Sequence, residues 1–152
     1  MSVSEGKTLI VDAEGQILGR MASRIAKLLL QGYKVVVVNA EKAVLSGDPQ
    51  MVIGGYSKMF SVRNYRNLEK QGIRRERSPQ RLVKSAIKGM LPYKKPKGRG
   101  ALKNLRVYVG VPEEFKGREK IRFPEADASK LKCKSILVGQ LARQLGWRVL
   151  EA

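Results

Sequence analysis

Histidine is absent from the 152 residues, and cysteine occurs only once, at Cys133. These absences remove the commonest general base, the usual partner of a serine or cysteine nucleophile, and the ligands of ordinary zinc sites. A single cysteine cannot form an internal disulfide, which fits a reducing compartment. The isolated acids Asp12, Glu14, Glu41 and Asp48 form no metal or acid–base signature. We therefore expect no catalytic residue, no metal site and no cofactor.

Long apolar runs are also missing, since the longest candidate is four valines at residues 35–38. The first residues have neither the charged nor the apolar region of a signal peptide. We expect a cytoplasmic protein that does not enter a membrane. The length and an apolar content of 43 % suit one globular domain, residues 1–152, with a core of its own.

Acidic residues are scarce, with 13 Asp and Glu against 31 Lys and Arg, for a formal charge of +18. Residues 57–106 contain sixteen of the basic residues and only two of the acidic ones, whereas the segments on either side are nearly balanced. A few such charges would be an ordinary solvated face. The net charge of this segment is +14, so its cations repel one another and oppose a compact structure unless a polyanion neutralises them. We predict that the segment faces nucleic acid.

Residues 57–106 divide into an arginine-rich arm, a helix with a basic outer stripe, and a loop rich in lysine, proline and glycine. Planar guanidinium groups suit phosphate forks and base stacking. The aromatic residues Tyr56, Phe60, Tyr65 and Tyr93 can stack on unpaired bases, although some of them will be core. The candidate RNA-binding residues of this segment are Lys58, Arg63, Arg66, Arg74, Arg75, Arg77, Arg81, Lys84, Lys88, Lys94, Lys95, Lys97 and Arg99.

The first forty residues predict a strand, a helix and a second strand. Apolar residues recur at helical spacing over residues 18–30, and Gly32 follows as a C-terminal cap. The unbroken run of valines within residues 34–39 is typical of a strand covered on both faces. We expect an α/β fold with a parallel sheet. The opposite face of the first helix places Arg20, Arg24 and Lys27 in a stripe that suits either a phosphate backbone or plain solvent.

Further along, Asp48 and Pro49 begin a helix that we expect Gly54 and Gly55 to stop. Residues 56–77 show no sustained period and are predicted to be an irregular basic arm. A helix follows from Ser78 to about Met90, and residues 91–100 are predicted to be a loop that orders only against RNA. Residues 105–110 predict a strand, residues 111–134 a loop, and residues 135–145 a last helix.

An alternative is a nucleotide-dependent enzyme that binds phosphate at the turn of residues 15–20, before the first helix. The turn lacks the spacing and the Lys-Ser/Thr of a P-loop, and no GxGxxG follows the strand. A free translational repressor that binds one mRNA element is a third possibility.

Three blocks of the sequence resemble the universal large-subunit ribosomal protein family numbered thirteen. Residues 11–23, VDAEGQILGRMAS, are similar to the opening of that family, and residues 36–47, VVVNAEKAVLSG, to its second-strand block. Residues 86–92, AIKGMLP, resemble its most recognisable signature, and residues 98–108 extend the match. The order of the blocks is more specific than any one of them.

The resemblance implies a three-layer α/β/α domain with about four parallel strands and no enzyme activity. It also implies binding to large-subunit ribosomal RNA, contacts with neighbouring large-subunit proteins, and a role early in subunit assembly. Residues 141–147, LARQLGW, are similar to the ending of archaeal and eukaryotic members. The histidine-containing loop of bacterial members and the long basic C-terminal extension of eukaryotic members are missing. We expect an archaeal-like member, without a membrane or a small-molecule substrate as partner.

Overall fold

The fold comes from a computed structural model, which describes residues 7–71 and 75–149. Its strands are β1 Thr8–Asp12, β2 Lys34–Val38, β3 Val44–Ser46, β4 Leu105–Val107 and β5 Ser135–Leu137. Its α-helices are α1 Leu18–Leu30, α2 Pro49–Ser61, α3 Leu68–Gln71, α4 Pro79–Gly89, α5 Pro96–Lys103 and α6 Val138–Gln144.

The main sheet is parallel and has the strand order β1-β2-β4. Strand β1 pairs with β2 from Thr8 opposite Lys34 to Asp12 opposite Val38. On the other side of β1, the Ile121 amide donates to the Ile10 carbonyl at 2.7 Å, and the Asp12 amide donates to the Ile121 carbonyl at 3.0 Å. The predicted sheet of about four strands is therefore three strands and one parallel bridge.

The two faces of β2 are both buried, as its run of valines predicts. Val35 and Val37 pack in the main core cluster, which also contains buried residues of α1, α4 and α6. Val36 and Val38 face a smaller cluster with Ile10 and Phe115, the latter from a 3-10 turn. Helices thus cover one face of the sheet and the segment around Phe115 covers the other, which confirms the α/β class and the layered arrangement.

Helix α2 shows that one sequence-based prediction is wrong, because it continues through Gly54 and Gly55 to Ser61. A glycine in a helix interior costs about 1 kcal/mol relative to alanine. Apolar side chains on both sides of the glycine pair, among them Ile53, Tyr56 and Phe60, pack against the main core. Their burial offsets that cost, so the irregular arm begins only after α2 and is interrupted again by α3.

Helix α5 corrects the prediction that residues 91–100 form a loop. Pro96 occupies the first turn of the helix, where its missing amide has no helical partner to lose. Gly98 is buried against the preceding turn, since a Cβ placed there would lie 2.1 Å from the Pro92 carbonyl oxygen. Ala101 joins the main core. Proline at the first turn and glycine at the close contact with Pro92 are therefore both compatible with this helix.

The end of the chain also differs from the single helix that the sequence predicts. Residues Ser135–Leu137 form strand β5, which pairs antiparallel with β3. The Val138 amide then donates to the Ala43 carbonyl at 2.8 Å, and helix α6 begins there. Residues 111–134 contain only 3-10 turns and isolated bridges, as a predicted loop would.

Replacing Gly98 with alanine should destabilise the protein, because the added Cβ would overlap backbone atoms of Pro92 and Tyr93. Overpacking of this kind costs about 1–3 kcal/mol. Gly100→Ala is the matched control, since a Cβ at Gly100 meets nothing within 4 Å and should stabilise the same helix by up to about 1 kcal/mol. Urea denaturation of both variants measures the difference, and equal stabilities would contradict the close approach of α5 to Pro92.

Candidate nucleic-acid interface

Helix α4 has one apolar face and one basic face. It follows Ser78 with Pro79 in its first turn, and it buries Leu82, Val83 and Ile87 in the main core. Residues three and four apart lie on the same side of a helix, so the intervening cations point away from that core. Arg81, Lys84 and Lys88 are accordingly all exposed, as the sequence predicts.

A groove of about 310 Å³ runs along this basic face of α4. The segment before α4 forms one wall with Arg75 and Glu76, and Leu102 of α5 contributes an apolar wall. We call this site the basic groove; its lining residues are Arg75, Glu76, Arg81, Lys84, Ser85, Lys88 and Leu102. Four cations and one acid therefore line the same depression.

The turn before α5 and the first residues of α5 add exposed cations next to the groove. Lys94, Lys95, Lys97 and Arg99 are all exposed. The Lys88 ammonium lies 5.0 Å from the centroid of the Tyr93 ring, which joins the stripe of α4 to this turn. Arg99 donates a hydrogen bond to the Lys94 carbonyl at 3.3 Å. The segment that the sequence predicts to order only against RNA is thus held by contacts within the protein.

The end of α2 and the arm between α2 and α4 contain further exposed cations. Lys58 of α2 and Arg63 and Arg66 of the arm are exposed. Arg77 is also exposed, but its guanidinium lies over the Phe60 ring, 4.7 Å from the ring centroid. Arg74, which the sequence suggests as an RNA-binding residue, lies outside the described residues.

The basic stripe of α1 is only partly available. Arg20 and Lys27 are exposed. Arg24 instead forms an ion pair with Glu125, which is hydrogen-bonded to its guanidinium. That hydrogen bond raises the pKa of Arg24 and lowers the pKa of the Glu125 carboxyl. Sequence spacing gives no sign of this partner, because Glu125 lies about a hundred residues away.

Acidic partners are distributed unevenly over the structure. Ion pairs among residues 7–71 and 75–149 involve Arg24, Lys42, Lys116, Arg122 and Lys134. Within those ranges, no side chain of residues 57–106 forms an ion pair. The basic groove has four cations against the single acid Glu76, and none of these cations forms an ion pair in the part of the chain that the structure describes. This excess of positive charge is the kind of surface that suits a polyanion.

The family of the chain follows from its matches to known proteins. A model of the ribosomal protein L13 family matches residues 6–114. The chain belongs to the ribosomal protein L13 family. The large ribosomal subunit protein uL13 of Aeropyrum pernix is 55 % identical over 145 residues, which cover 95 % of this chain and 93 % of that protein.

Other members of the L13 family agree. The protein of the same name from Saccharolobus solfataricus is 51 % identical over 93 % of this chain and 94 % of its own length, and that from Archaeoglobus fulgidus is 43 % identical over 91 % and 88 %. These relatives support the archaeal-like branch that the sequence predicts. Members of the L13 family are structural components of the large ribosomal subunit and not enzymes.

The turn before α1 does not offer this L13-family chain a phosphate cradle. The amides of Gly15, Gln16 and Ile17 already donate to the carbonyls of Lys42, Ala13 and Ala126, at 3.2, 3.1 and 2.6 Å. A P-loop binds phosphate through free backbone amides of this kind. The turn is instead a junction between β1, α1 and the segments that pack on them.

A buried carboxylate occupies the end of β1 beside this turn. One Asp12 oxygen accepts hydrogen bonds from the Asn39 amide at 2.9 Å and the Glu14 backbone amide at 3.1 Å. The other accepts from two guanidinium nitrogens of Arg122, at 2.9 and 3.2 Å. Burial raises the pKa of Asp12, but these hydrogen bonds outweigh it and hold the pKa below its ordinary value of 3.8. The carboxylate therefore fastens the segment around Arg122 to the sheet.

Other candidate chemistry is sparse in the part of the chain that the structure describes. That part contains no group of three or more His, Cys, Asp or Glu side chains arranged to hold a metal ion. None of its helices is both long enough and apolar enough to cross a membrane.

Asp12→Asn should lower the free energy of unfolding by about 1.5–3 kcal/mol at neutral pH, because hydrogen bonds to a charged group are lost. The folded-state pKa lies below the unfolded one, so the ionised carboxylate stabilises the fold above the unfolded pKa of 3.8. This contribution disappears as the pH falls through the folded pKa. Denaturation of both proteins at several pH values measures the difference between their free energies of unfolding. This difference should be constant near neutral pH and should disappear in acid. A difference that persists at the lowest pH would contradict this role of the charge.

Proposed function

We propose that the basic groove and the exposed cations beside it bind large-subunit ribosomal RNA. The observation that supports this most directly is the gathering of Arg75, Arg81, Lys84 and Lys88 in one depression, without an ion-pair partner among the described residues. Burying these four cations together against another protein surface would be unfavourable, because their like charges repel one another. A phosphate backbone neutralises them instead. The large-subunit names of the relatives are consistent with this partner.

The binding mode is recognition of phosphate and shape. Lysine ammonium groups act as point charges, and guanidinium groups can form two parallel hydrogen bonds to one phosphate. Sequence reading in RNA requires unpaired bases, because the major groove of an RNA helix is too narrow for side chains. The charged face of α4 therefore positions the protein on folded RNA without reading a long sequence.

The proposed RNA-binding residues differ in how far the protein itself engages them. Four candidates already contact other groups of the protein, so their replacement would also change those contacts: Arg24 contacts Glu125, Arg77 contacts Phe60, Lys88 contacts Tyr93, and Arg99 contacts the Lys94 carbonyl. The exposed cations without such contacts in the described residues are the stronger candidates: Arg20, Lys27, Lys58, Arg63, Arg66, Arg75, Arg81, Lys84, Lys94, Lys95 and Lys97.

We also propose that the chain acts early in assembly of the large subunit, as a single domain that works in the cytoplasm and contacts neighbouring large-subunit proteins. Its described helices and strands pack around a main core made of the chain's own residues. A domain with a core of its own can fold and bind rRNA before other components arrive, and its cations then reduce repulsion between phosphates.

Neutralising the groove should weaken RNA binding. With about eight cations on phosphates, the log–log slope of affinity against salt should be on the order of −6 to −7. The triple variant Arg81→Gln, Lys84→Gln and Lys88→Gln should flatten that slope by about 0.7–0.9 for each phosphate that is no longer neutralised. Filter binding or fluorescence anisotropy with transcribed Aeropyrum pernix large-subunit rRNA measures both quantities.

The matched control replaces three other exposed lysines with glutamine, Lys120, Lys130 and Lys132, which lie outside residues 57–106. This variant has the same net charge as the groove triple variant, so a general charge effect would weaken binding in both alike. We expect the control to keep nearly the slope of the unaltered protein. A wild-type affinity that does not respond to salt would refute the proposed mechanism.

The assembly proposal predicts when the chain joins the particle. Pulse-labelled chain should appear first in the lightest large-subunit precursors, which are separated on sucrose gradients and identified by mass spectrometry. The groove triple variant should enter late or not at all, because its affinity for bare rRNA is reduced. Appearance of the unaltered chain only in nearly complete subunits would show that early binding is wrong, even if it binds rRNA.

A further inference from the structure

The aromatic residues in or beside residues 57–106 occupy different environments. Tyr56 and Phe60 of α2 are partly buried and pack against the main core, and Arg77 also covers the Phe60 ring. Tyr93 is 42 % exposed and lies beneath the Lys88 ammonium. Tyr65 is 94 % exposed. Among these four rings, it is therefore the one that the described residues leave most uncovered.

Tyr65 lies in the short connection of residues 62–67 between α2 and α3. The Asn64 side-chain oxygen accepts a hydrogen bond from the Arg66 backbone amide at 3.2 Å, which closes a turn around Tyr65. Turns of this type restrict the backbone locally. The ring is thus placed at the tip of a constrained turn, and the exposed Arg63 and Arg66 lie close to it in the chain.

We infer that the Tyr65 ring stacks on an unpaired base of the RNA, while Arg63 and Arg66 bind the adjoining phosphates. The inference rests on the proposed function and adds to it a second kind of contact. An aromatic ring offers a flat apolar face, and leaving that face in water gives up the favourable burial that aromatic residues usually obtain. An unpaired base can stack on the ring and cover it, and this stacking needs no hydrogen bond.

The surrounding charge favours RNA over protein as the occupant. The connection and its neighbours in residues 57–67 contain cations and no acidic residue. Within a duplex the faces of the bases are already stacked, so a free face is found in single-stranded loops, bulges and ends. The turn at Tyr65 should therefore bind single-stranded RNA, whereas the groove along α4 contacts phosphates wherever they lie.

Tyr65→Ala should lower the affinity of the full-length chain for a single-stranded oligouridylate by roughly fivefold to a hundredfold, the range for one stacked base. Affinity for an RNA duplex of equal length should not change. The salt slope should also stay the same, because every cation that faces phosphate remains. Tyr65→Phe should keep the wild-type affinity, since stacking does not need the hydroxyl.

Two controls separate stacking from a general loss of apolar surface. Met51→Ala removes another exposed apolar side chain, on α2, and should bind both RNAs normally. Tyr65→Trp provides a spectroscopic signal, because a stacked indole loses fluorescence when the oligouridylate is added. The unaltered chain, whose only tryptophan is Trp147, gives the background. Thermal denaturation should show every variant as stable as the wild type, because the exposed ring contributes little to folding.

The two proposals fail in different ways. If wild type binds rRNA with a steep salt dependence and Tyr65→Ala binds the single strand equally well, base stacking is overturned and the proposed function stands. If wild type binds neither RNA, the proposed function itself fails. If Tyr65→Ala keeps its RNA affinity but no longer enters large subunits, the ring contacts a neighbouring protein and the inference is wrong.

Discussion

The packing of one face of α4 against the main core fixes where much of the positive charge of this protein lies. Val83 and Ile87 are fully buried, and their removal from water stabilises the fold by about 1.5–3 kcal/mol for each large apolar side chain. Because the helix cannot rotate without exposing them, Arg81, Lys84 and Lys88 must face away from the core. The basic groove is thus a direct consequence of hydrophobic periodicity.

The acidic residues that form ion pairs, like the apolar face of α4, stabilise the fold at positions away from the basic groove. Asp12, Glu14, Asp48 and Glu125 form ion pairs with cations outside residues 57–106. Asp12 links the sheet to the Asn39 turn and to Arg122. Beside α4, Glu76 lines the groove without forming an ion pair among the described residues. Further acids there would stabilise the free protein but would have to be displaced or desolvated when RNA binds. The distribution therefore favours a protein that folds on its core and keeps its charged segment available.

The elements that the sequence predicts well are those whose periodicity alone decides the structure. Strands β1 and β2, helix α1 and helix α4 have long apolar patterns, and the structure confirms them. Helices α2 and α5 differ from prediction because glycine and proline break a helix only at some positions. Pro96 lies in a first turn and Gly98 permits a close approach to Pro92, which are conditions that only tertiary structure reveals. Strand β5 escapes prediction because its partner β3 is remote in sequence.

The candidate site, like the fold, is predicted only in part by the sequence. Composition identifies the segment of residues 57–106, but it cannot separate the arginines that face solvent from those that the protein uses. Arg77 lies between the Phe60 ring and Gly146, where an added Cβ would approach a guanidinium nitrogen at 3.1 Å. Guanidinium groups can stack and form ion pairs at once, so arginine takes on structural contacts that lysine seldom makes. For this reason the net charge of a segment overestimates the number of phosphates that it can bind, and contact geometry corrects the estimate.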